Sequence, residues 1–186
     1  DYEVGFQYGK LLKNELHKMA TIEMSALKES MIKKEQLDVP FYLKPFVKPI
    51  ANITFNKKRR QIVKLLPEDI KSRIKGMADG AELPERFFED VFVMADYIAG
   101  CFSFILNENG QIIHARNFDS GKEVLGKNPV VVTYNITGKQ KYVQLGNPSL
   151  IWSYSAVNES GISFSEQSNN NPKIFEKENR NTLIDS

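Results

Sequence analysis

The sequence predicts an α+β fold in which helices precede residue 100 and antiparallel strands follow it. Before residue 100, apolar residues recur at the three- and four-residue spacing of helices. After it, short apolar segments rich in Val, Ile, Phe and Tyr are separated by turn residues, as strands are. Asn109-Gly110 joins two of these segments and is a strong hairpin signal, because a tight primed turn needs positive φ at its central residues. Short turns between consecutive strands indicate antiparallel pairing.

Four helices are predicted in the first half of the chain. Apolar residues at helical spacing mark their extents: Phe6 to Met19, Asn56 to Leu66, Pro67 to Gly80 and Pro84 to Ile98. Pro67 is followed by two acidic residues, a combination typical of the first turn of a helix. Pro40, Pro45 and Pro49 are expected to divide the preceding stretch into short pieces, because proline interrupts a helix interior.

Six strands are predicted in the second half. Their expected extents are Phe102–Leu106, Gln111–Arg116, Val130–Ile136, Lys141–Leu145, Leu150–Ala156 and Ile162–Glu166. A second turn is expected at Asn158-Glu-Ser-Gly161, between the last two strands. We expect residues 101–168 to form one antiparallel sheet with Cys101 on its first strand, and residues 1–98 to be mainly helical and to pack beside it.

Composition narrows the classes of partner. The 186 residues carry 25 basic and 23 acidic side chains, a net charge of +2, and 41% are hydrophobic, which suits one domain or one domain with a helical appendage. The densest basic run, residues 57–60, lies within a helical pattern, so a solvated helix face is expected there and a nucleic-acid partner is not. No apolar run approaches the roughly 20 residues of a membrane span, so none is expected.

Cys101 is the only cysteine of the chain, so it is either core filling or a thiol kept for chemistry. Two hairpin registers are open. A two-residue turn places Ser103 opposite Arg116 and Cys101 opposite Phe118, whereas a four-residue loop places Cys101 opposite Arg116. Because side chains alternate across a strand, both registers put Cys101 and Arg116 on one face. A guanidinium there favours the thiolate and can hold a substrate carbonyl or carboxylate.

The two histidines are assigned no catalytic role. His114 shares the face of Arg116 and is expected to be packed or hydrogen-bonded, and His17 is expected on a helix surface. One cysteine and two distant histidines do not have the spacing of a metal site. We therefore expect no metal and no cofactor.

The stretch from Ile70 to Asp119 resembles the cysteine-type N-terminal nucleophile (Ntn) hydrolases. This group includes choloylglycine hydrolases, penicillin V acylases, isopenicillin-N acyltransferase and acid ceramidase. The turn Gly76-Met-Ala-Asp-Gly80-Ala81 is similar to the family's GxAxGA-like turn. Cys101 stands at the position of the nucleophile, and the following hairpin ends in Arg116-Asn117-Phe118-Asp119, which is similar to the family's R-N-x-D motif.

Two further segments carry the resemblance. The Gly100-Cys101 junction and the opening DYEVGFQYGKLL resemble the autocleavage site and pro-segment of the acyltransferase branch. The resemblance implies an Ntn αββα sandwich of antiparallel sheets. Residues 1–100 would be a helical pro-segment, and residues 101–186 the N-terminal part of the catalytic domain, with the C-terminal part and its oxyanion asparagine absent, so that the sandwich is incomplete. Self-cleavage would give an α/β heterodimer. Whether this heterodimer assembles into a higher homo-oligomer is left open by the resemblance. The resemblance slightly favours an exported protein, located in the periplasm, outside the cell or in a lysosome-like compartment.

The resemblance also implies roles for individual residues. After cleavage between Gly100 and Cys101, the new α-amine would take the thiol proton and the sulfur would attack a small-molecule amide or acyl substrate. Asp119 would orient the amine, and Arg116 would bind substrate. The turn at Asn158-Glu-Ser-Gly161 resembles the family's NExG turn, and the strand after it leads to the oxyanion hole in that family. Candidates for oxyanion or substrate binding are therefore Ser168, its neighbours Glu166 and Gln167, and Asn117.

The sequence is compatible with three functions. The first is an autoprocessing amidohydrolase or acyltransferase that acts on a linear amide. The second is an uncleaved or degenerate relative that binds acyl or amide ligands without catalysis. The third is an α+β domain with an inert core cysteine. An intact Gly100-Cys101 bond in the mature protein would support the second, and a buried Cys101 turned away from Arg116 would support the third. Arg116 could also form only an i,i+3 ion pair with Asp119, and Glu166 could be an ordinary exposed strand residue.

Overall fold

The structure, a computed structural model, describes residues 1–23, 40, 42, 44–95, 100–119, 129–150 and 153–167. The helices in these ranges, in chain order, are α1 Tyr2–Leu11, α2 Lys13–Lys18, α3 Lys44–Leu65, α4 Glu68–Ala81 and α5 Glu85–Ala95. The strands are β1 Gly100–Glu108, β2 Gln111–Asp119, β3 Val130–Tyr134, β4 Tyr142–Gly146, β5 Ser155–Asn158 and β6 Ser163–Ser165. A π-helical turn, Met19–Glu23, continues α2. The predicted α+β class is confirmed.

Helix α3 corrects the expectation that Pro45 and Pro49 divide this part of the chain. The helix runs from Lys44 to Leu65 with Pro49 inside it. Pro45 lies in the first turn, where a backbone N–H has no helical partner and its loss costs little. Pro49 removes one backbone bond in the interior, but the helix continues on both sides of it. The predicted end of α5 at Ile98 lies outside the described residues, which follow this helix to Ala95.

Four glycines allow α1 and α4 to cross in close contact. A Cβ atom on Gly76 would lie 2.1 Å from the carbonyl oxygen of Tyr2, and one on Gly80 would lie 2.1 Å from that of Phe6. On the opposite helix, a Cβ atom on Gly5 would lie 2.3 Å from the carbonyl oxygen of Arg73, and one on Gly9 would lie 2.2 Å from that of Met77. Only glycine leaves room for this approach of two backbones. Residues 76–81, expected as a GxAxGA-like turn, are instead the last part of helix α4, and the two glycines of this segment have a packing role.

Two polar residues expected at helix surfaces make tertiary contacts instead. His17 is half-buried, and its Nε2 lies 2.7 Å from the carbonyl oxygen of Ala81. Arg59, inside the basic run, is turned inward, with Nη1 2.5 Å from Glu89 and Nε 3.4 Å from Asp90. The expectation of a fully solvated face over residues 57–60 was therefore wrong at Arg59, because a neighbouring helix presents two carboxylates to it.

The strands form two antiparallel sheets, which corrects the expectation of a single one. Strands β1 and β2 form a two-stranded hairpin, and β3, β4, β5 and β6 pair in that order. Within the described strands, the hairpin is not hydrogen-bonded through its edges to the larger sheet. Its polar face instead contacts side chains of β5 and β6. The physical reason is that His114 and Arg116, on this face of the hairpin, form hydrogen bonds with serine side chains of the larger sheet.

The larger sheet separates the helices from the hairpin. On one face, Val132 is buried in the core with the helices, and Tyr134 stacks on Tyr8 of α1 at 6.3 Å between ring centroids. Side chains alternate across a strand, so the opposite face carries Ser155, Ser163 and other residues that meet the hairpin. The described residues thus form a helical layer, a four-stranded sheet and a two-stranded hairpin. Among the described helices, none combines the length and the apolar content that crossing a membrane requires.

Candidate functional site

The turn of the β1–β2 hairpin sets the geometry of the site. Asn109 and Gly110 have φ values of 53° and 81°, as a two-residue primed turn requires. The register that follows pairs Ser103 with Arg116 and Cys101 with Phe118. Of the two registers left open by the sequence, the structure has the one with the two-residue turn.

Arg116 and Cys101 lie in contact on the face of the hairpin that meets the larger sheet. Arg116 Nη2 donates a hydrogen bond to Cys101 Sγ at 3.2 Å. The two residues are diagonal neighbours, and a diagonal separation is within reach of a long side chain. Cys101 is a free, half-buried thiol. The prediction that both residues share one face is confirmed, and the geometry that would have supported an inert cysteine turned away from Arg116 is not observed.

Two further contacts hold the guanidinium. Arg116 Nη1 donates a hydrogen bond to Ser155 Oγ at 3.3 Å, and Cζ lies 5.0 Å from the ring centroid of Tyr154. An arginine over the face of an aromatic ring is attracted by the ring's electrons. One planar group therefore contacts a thiol, a hydroxyl and a ring together, which restricts its position.

Tyr154 is neutral at ordinary pH. Its side chain is almost fully buried. Burial raises the pKa of its phenol well above the usual value, and the carboxylate of Glu166 raises it further, while Arg116 opposes the shift. The ring therefore supports Arg116 through its face, without a phenolate charge.

His114 joins the hairpin to β6. Its Nδ1 lies 2.9 Å from Ser163 Oγ and its Nε2 lies 3.0 Å from Ser165 Oγ. A neutral imidazole donates at one of these nitrogens and accepts at the other. Near the base of the hairpin, Gln167 Nε2 donates to Ser103 Oγ. The prediction of a hydrogen-bonded His114 is confirmed, and these contacts explain why the hairpin packs on the sheet through its polar face.

A cavity of about 190 Å³ lies beside Arg116, between the hairpin and the larger sheet. One part of its wall is polar and includes Arg116, His114 and Ser155. The other part is apolar, formed by Val143, Leu145, Val157 and Phe164 among others. This combination suits a ligand with one polar group and an apolar portion.

The remaining predicted site residues fall in different places. Gly100 pairs with Asp119 at the open end of the hairpin, so the backbone of Asp119 lies across from the predicted cleavage junction. The position of the Asp119 carboxylate and the whole of Ser168 lie outside the described residues. Asn117 is exposed and pairs with Phe102, on the face opposite to Cys101. Glu166 is exposed, and its backbone N–H donates to the carbonyl of Tyr154 at 2.9 Å.

The residues that complete the site lie in β5, in β6 and directly before β5, and they were not identified from the sequence. Tyr154, Ser155, Ser163 and Ser165 contact Arg116 or His114, and none of them was predicted. One signal was available. Ser163 and Ser165 are two apart on a predicted strand, so both must lie on one face. Two hydroxyls on one face of a strand indicate that this face meets polar groups.

Comparisons of the chain with protein-family models, with curated proteins and with solved structures gave no match. The proposed function therefore depends on the geometry of the site and on the motifs of the sequence.

Proposed function

We propose that this chain is an autoprocessing Ntn hydrolase or acyltransferase that cleaves a linear amide with Cys101 as its nucleophile. The observation that carries the proposal is the hydrogen bond from Arg116 to Cys101 at 3.2 Å, on a strand that begins at Gly100. A cation held beside the only thiol of the chain is an arrangement found around reactive cysteines. The proposal unites this geometry with the Gly100-Cys101 junction and the R-N-x-D motif.

The proposed fold is the αββα sandwich of that family. Its two sheets would correspond to the four-stranded sheet and the hairpin, while the described helices all lie before residue 96, in the proposed pro-segment. The outer face of the hairpin carries Phe102, Phe104, Leu106 and Ile113, all exposed in the structure. In an αββα sandwich, a second helical layer packs on such a face, and burial of apolar side chains would stabilise that layer.

The first proposed step is self-cleavage. Cys101 Sγ attacks the carbonyl carbon of Gly100, and the acyl group moves from nitrogen to sulfur as the peptide C–N bond breaks. Water then hydrolyses the thioester, which leaves a carboxylate on Gly100, a thiol, and a free α-amine on Cys101. Because residue 101 has no free amine before this step, Asp119 or Arg116 must assist it. The backbone of Asp119 lies opposite Gly100, at the junction itself.

The second proposed step is turnover. The α-amine of Cys101 accepts the thiol proton, and Sγ attacks the substrate carbonyl. The protonated amine then returns a proton to the leaving amine, and water or an acceptor amine takes the acyl group from sulfur. Arg116 holds the polar end of the substrate beside Sγ, and the apolar wall of the adjacent cavity holds its acyl portion.

Intact-mass analysis and N-terminal sequencing of the purified protein test the proposal. Wild type is expected to give two chains, with a new terminus that reads Cys-Phe-Ser-Phe. Cys101→Ala should remain one chain without amidase activity. Ser103→Ala is the matched control, since Ser103 lies on the same strand and face but contacts Gln167 rather than the thiol. Uncut wild type that still hydrolyses amides would exclude the free-amine mechanism.

A ligand-binding role without catalysis is the second candidate, because the cavity beside Arg116 does not depend on a free amine. The same experiment separates the two functions. Protein that stays uncut, hydrolyses no amide and yet binds a carboxylate or amide in a manner that depends on Arg116 would have this second function.

A further inference from the structure

Helix α3 has an unusual charge for a chain that is almost neutral. Its 22 residues include five lysines and two arginines and no acidic residue. None of its side chains is fully buried. The helix therefore presents a strong positive charge over a long solvent-accessible surface.

The inward face of α3 is set by contacts with α5 and with the core. Arg59 pairs with Glu89 and Asp90, and Asn56 accepts a hydrogen bond from Arg86 at 2.8 Å. Phe55 and Ile62 pack against the core on the same side. These contacts determine which side chains of α3 point away from the protein.

The outward face has an apolar half and a basic half. In the first half, Phe46, Ile50 and Ile53 are 59%, 60% and 69% exposed and follow one another at helical spacing. On the same face, the second half carries Lys57, Arg60 and Lys64, all exposed. The two groups form one continuous surface, which we call the α3 outer face.

We propose that the α3 outer face binds the surface of a lipid bilayer that contains anionic lipids. Aliphatic and aromatic side chains on one helix face can insert at the boundary of headgroups and acyl chains, while lysine and arginine contact the phosphates. Each basic residue near an anionic membrane raises the affinity about five-fold. The helix would lie on the membrane, since the described helices do not have the properties of a span. This proposal is independent of the proposed function.

Charge and apolar content together favour a membrane over other partners. A nucleic acid would use Lys57, Arg60 and Lys64 but would have no use for Phe46 and Ile50. The exposed apolar face of the hairpin provides a contrast. Arg116 is the only lysine or arginine in β1 and β2, and it points to the opposite face. That face therefore has the apolar content without the charge.

Flotation of the whole chain with vesicles tests the proposal. Wild type should float with phosphatidylcholine vesicles that contain phosphatidylserine and should not float with pure phosphatidylcholine vesicles. Because the attraction is partly electrostatic, added salt should reduce binding. Replacing Lys57, Arg60 and Lys64 together by Gln should reduce binding about a hundred-fold, as three contributions of roughly five-fold imply. Ile50→Ser combined with Phe46→Ser should also reduce it at least ten-fold.

Matched controls come from exposed positions on other helices. Lys75→Gln removes a basic residue of α4, and Leu11→Ser removes an exposed apolar residue of α1. Both should float as wild type does, and circular dichroism should show that all variants keep their helices. Equal flotation with both kinds of vesicle, no flotation, or binding that survives the two serine substitutions would overturn the proposal. In the last case, binding of single-stranded RNA by the serine variant with the same affinity as the wild type would identify a polyanion partner instead.

Discussion

Arg116 donates a hydrogen bond to Cys101 Sγ at 3.2 Å although the hairpin register pairs it with Ser103. The contact is diagonal, so it depends on the length of the arginine side chain as well as on the register. Ser155 and Tyr154 hold the guanidinium from the other sheet. The position of the cation beside the thiol is therefore a product of both sheets, and each sheet can be perturbed separately.

Arg116→Lys should impair the proposed chemistry. Lysine carries a point charge and lacks the planar group that contacts a thiol, a hydroxyl and a ring at once. We expect self-cleavage and amide hydrolysis to fall roughly a hundred-fold, the lower end of the range seen when one positioned oxyanion-hole donor is lost. Cleavage is followed on gels, and hydrolysis by release of amine. Ser103→Ala should retain both activities, and an unchanged Arg116→Lys variant would remove Arg116 from the mechanism.

His114→Ala should loosen the hairpin from the larger sheet. It removes hydrogen bonds to Ser163 and Ser165, each worth about 1 kcal/mol net. Hydrogen exchange measured by mass spectrometry should become faster in peptides from residues 100–119 and remain unchanged in α4. Ile112→Ala is the control, because Ile112 lies on the same strand and face but is exposed. If both variants exchange at the wild-type rate, the bonds of His114 do not hold the hairpin.

Gly76→Ala should destabilise the protein through the crossing of α1 and α4. The new Cβ would lie 2.1 Å from the carbonyl oxygen of Tyr2, so the helices would have to separate. Overpacking of this kind costs about 1–3 kcal/mol in the free energy of unfolding, measured by urea denaturation. Lys75→Ala, at the exposed neighbouring position, should change that free energy by less than about 0.5 kcal/mol. Equal stability of the two variants would contradict the close approach.

The stability of the protein should fall in strongly alkaline solution. Burial raises the pKa values of Tyr8, Tyr134 and Tyr154 above the ordinary value of 10.0. As the pH rises above 10.0, the unfolded chain loses these protons while the folded protein retains them. The folded state then binds more protons, so the free energy of unfolding decreases with pH. Well below pH 10.0, these tyrosines are protonated in both the folded and the unfolded state, so they do not change the free energy of unfolding with pH.

Urea denaturation on either side of pH 10 measures this effect. Tyr8→Phe should lessen the alkaline loss of stability, because one buried phenol no longer titrates in the unfolded chain. Tyr42→Phe is the control, since Tyr42 is exposed. An identical alkaline loss in wild type and Tyr8→Phe would show that Tyr8 is not a source of it.

Several features of the fold could be predicted because their causes are local. The Asn109-Gly110 turn follows from the backbone preferences of two residues, and the alternation of a strand then places Cys101 and Arg116 on one face. The α+β class follows in the same way from the spacing of apolar residues. In contrast, the division at Pro45 and Pro49 was predicted wrongly, because a proline in the first turn costs a helix little and the turns on both sides of Pro49 keep their backbone bonds.

The sequence by itself therefore determined the α+β class, the turn at Asn109-Gly110 and the placement of a thiol and a cation on one face of the hairpin, while it left two hairpin registers open. The tertiary structure alone decided that the hairpin forms a sheet of its own and packs on β5 and β6. It alone decided that Ser155, Tyr154, Ser163 and Ser165 complete the site. The physical reason is separation along the chain. Contacts between residues about 40 to 50 positions apart depend on how whole layers pack, and local preference carries no information about that packing.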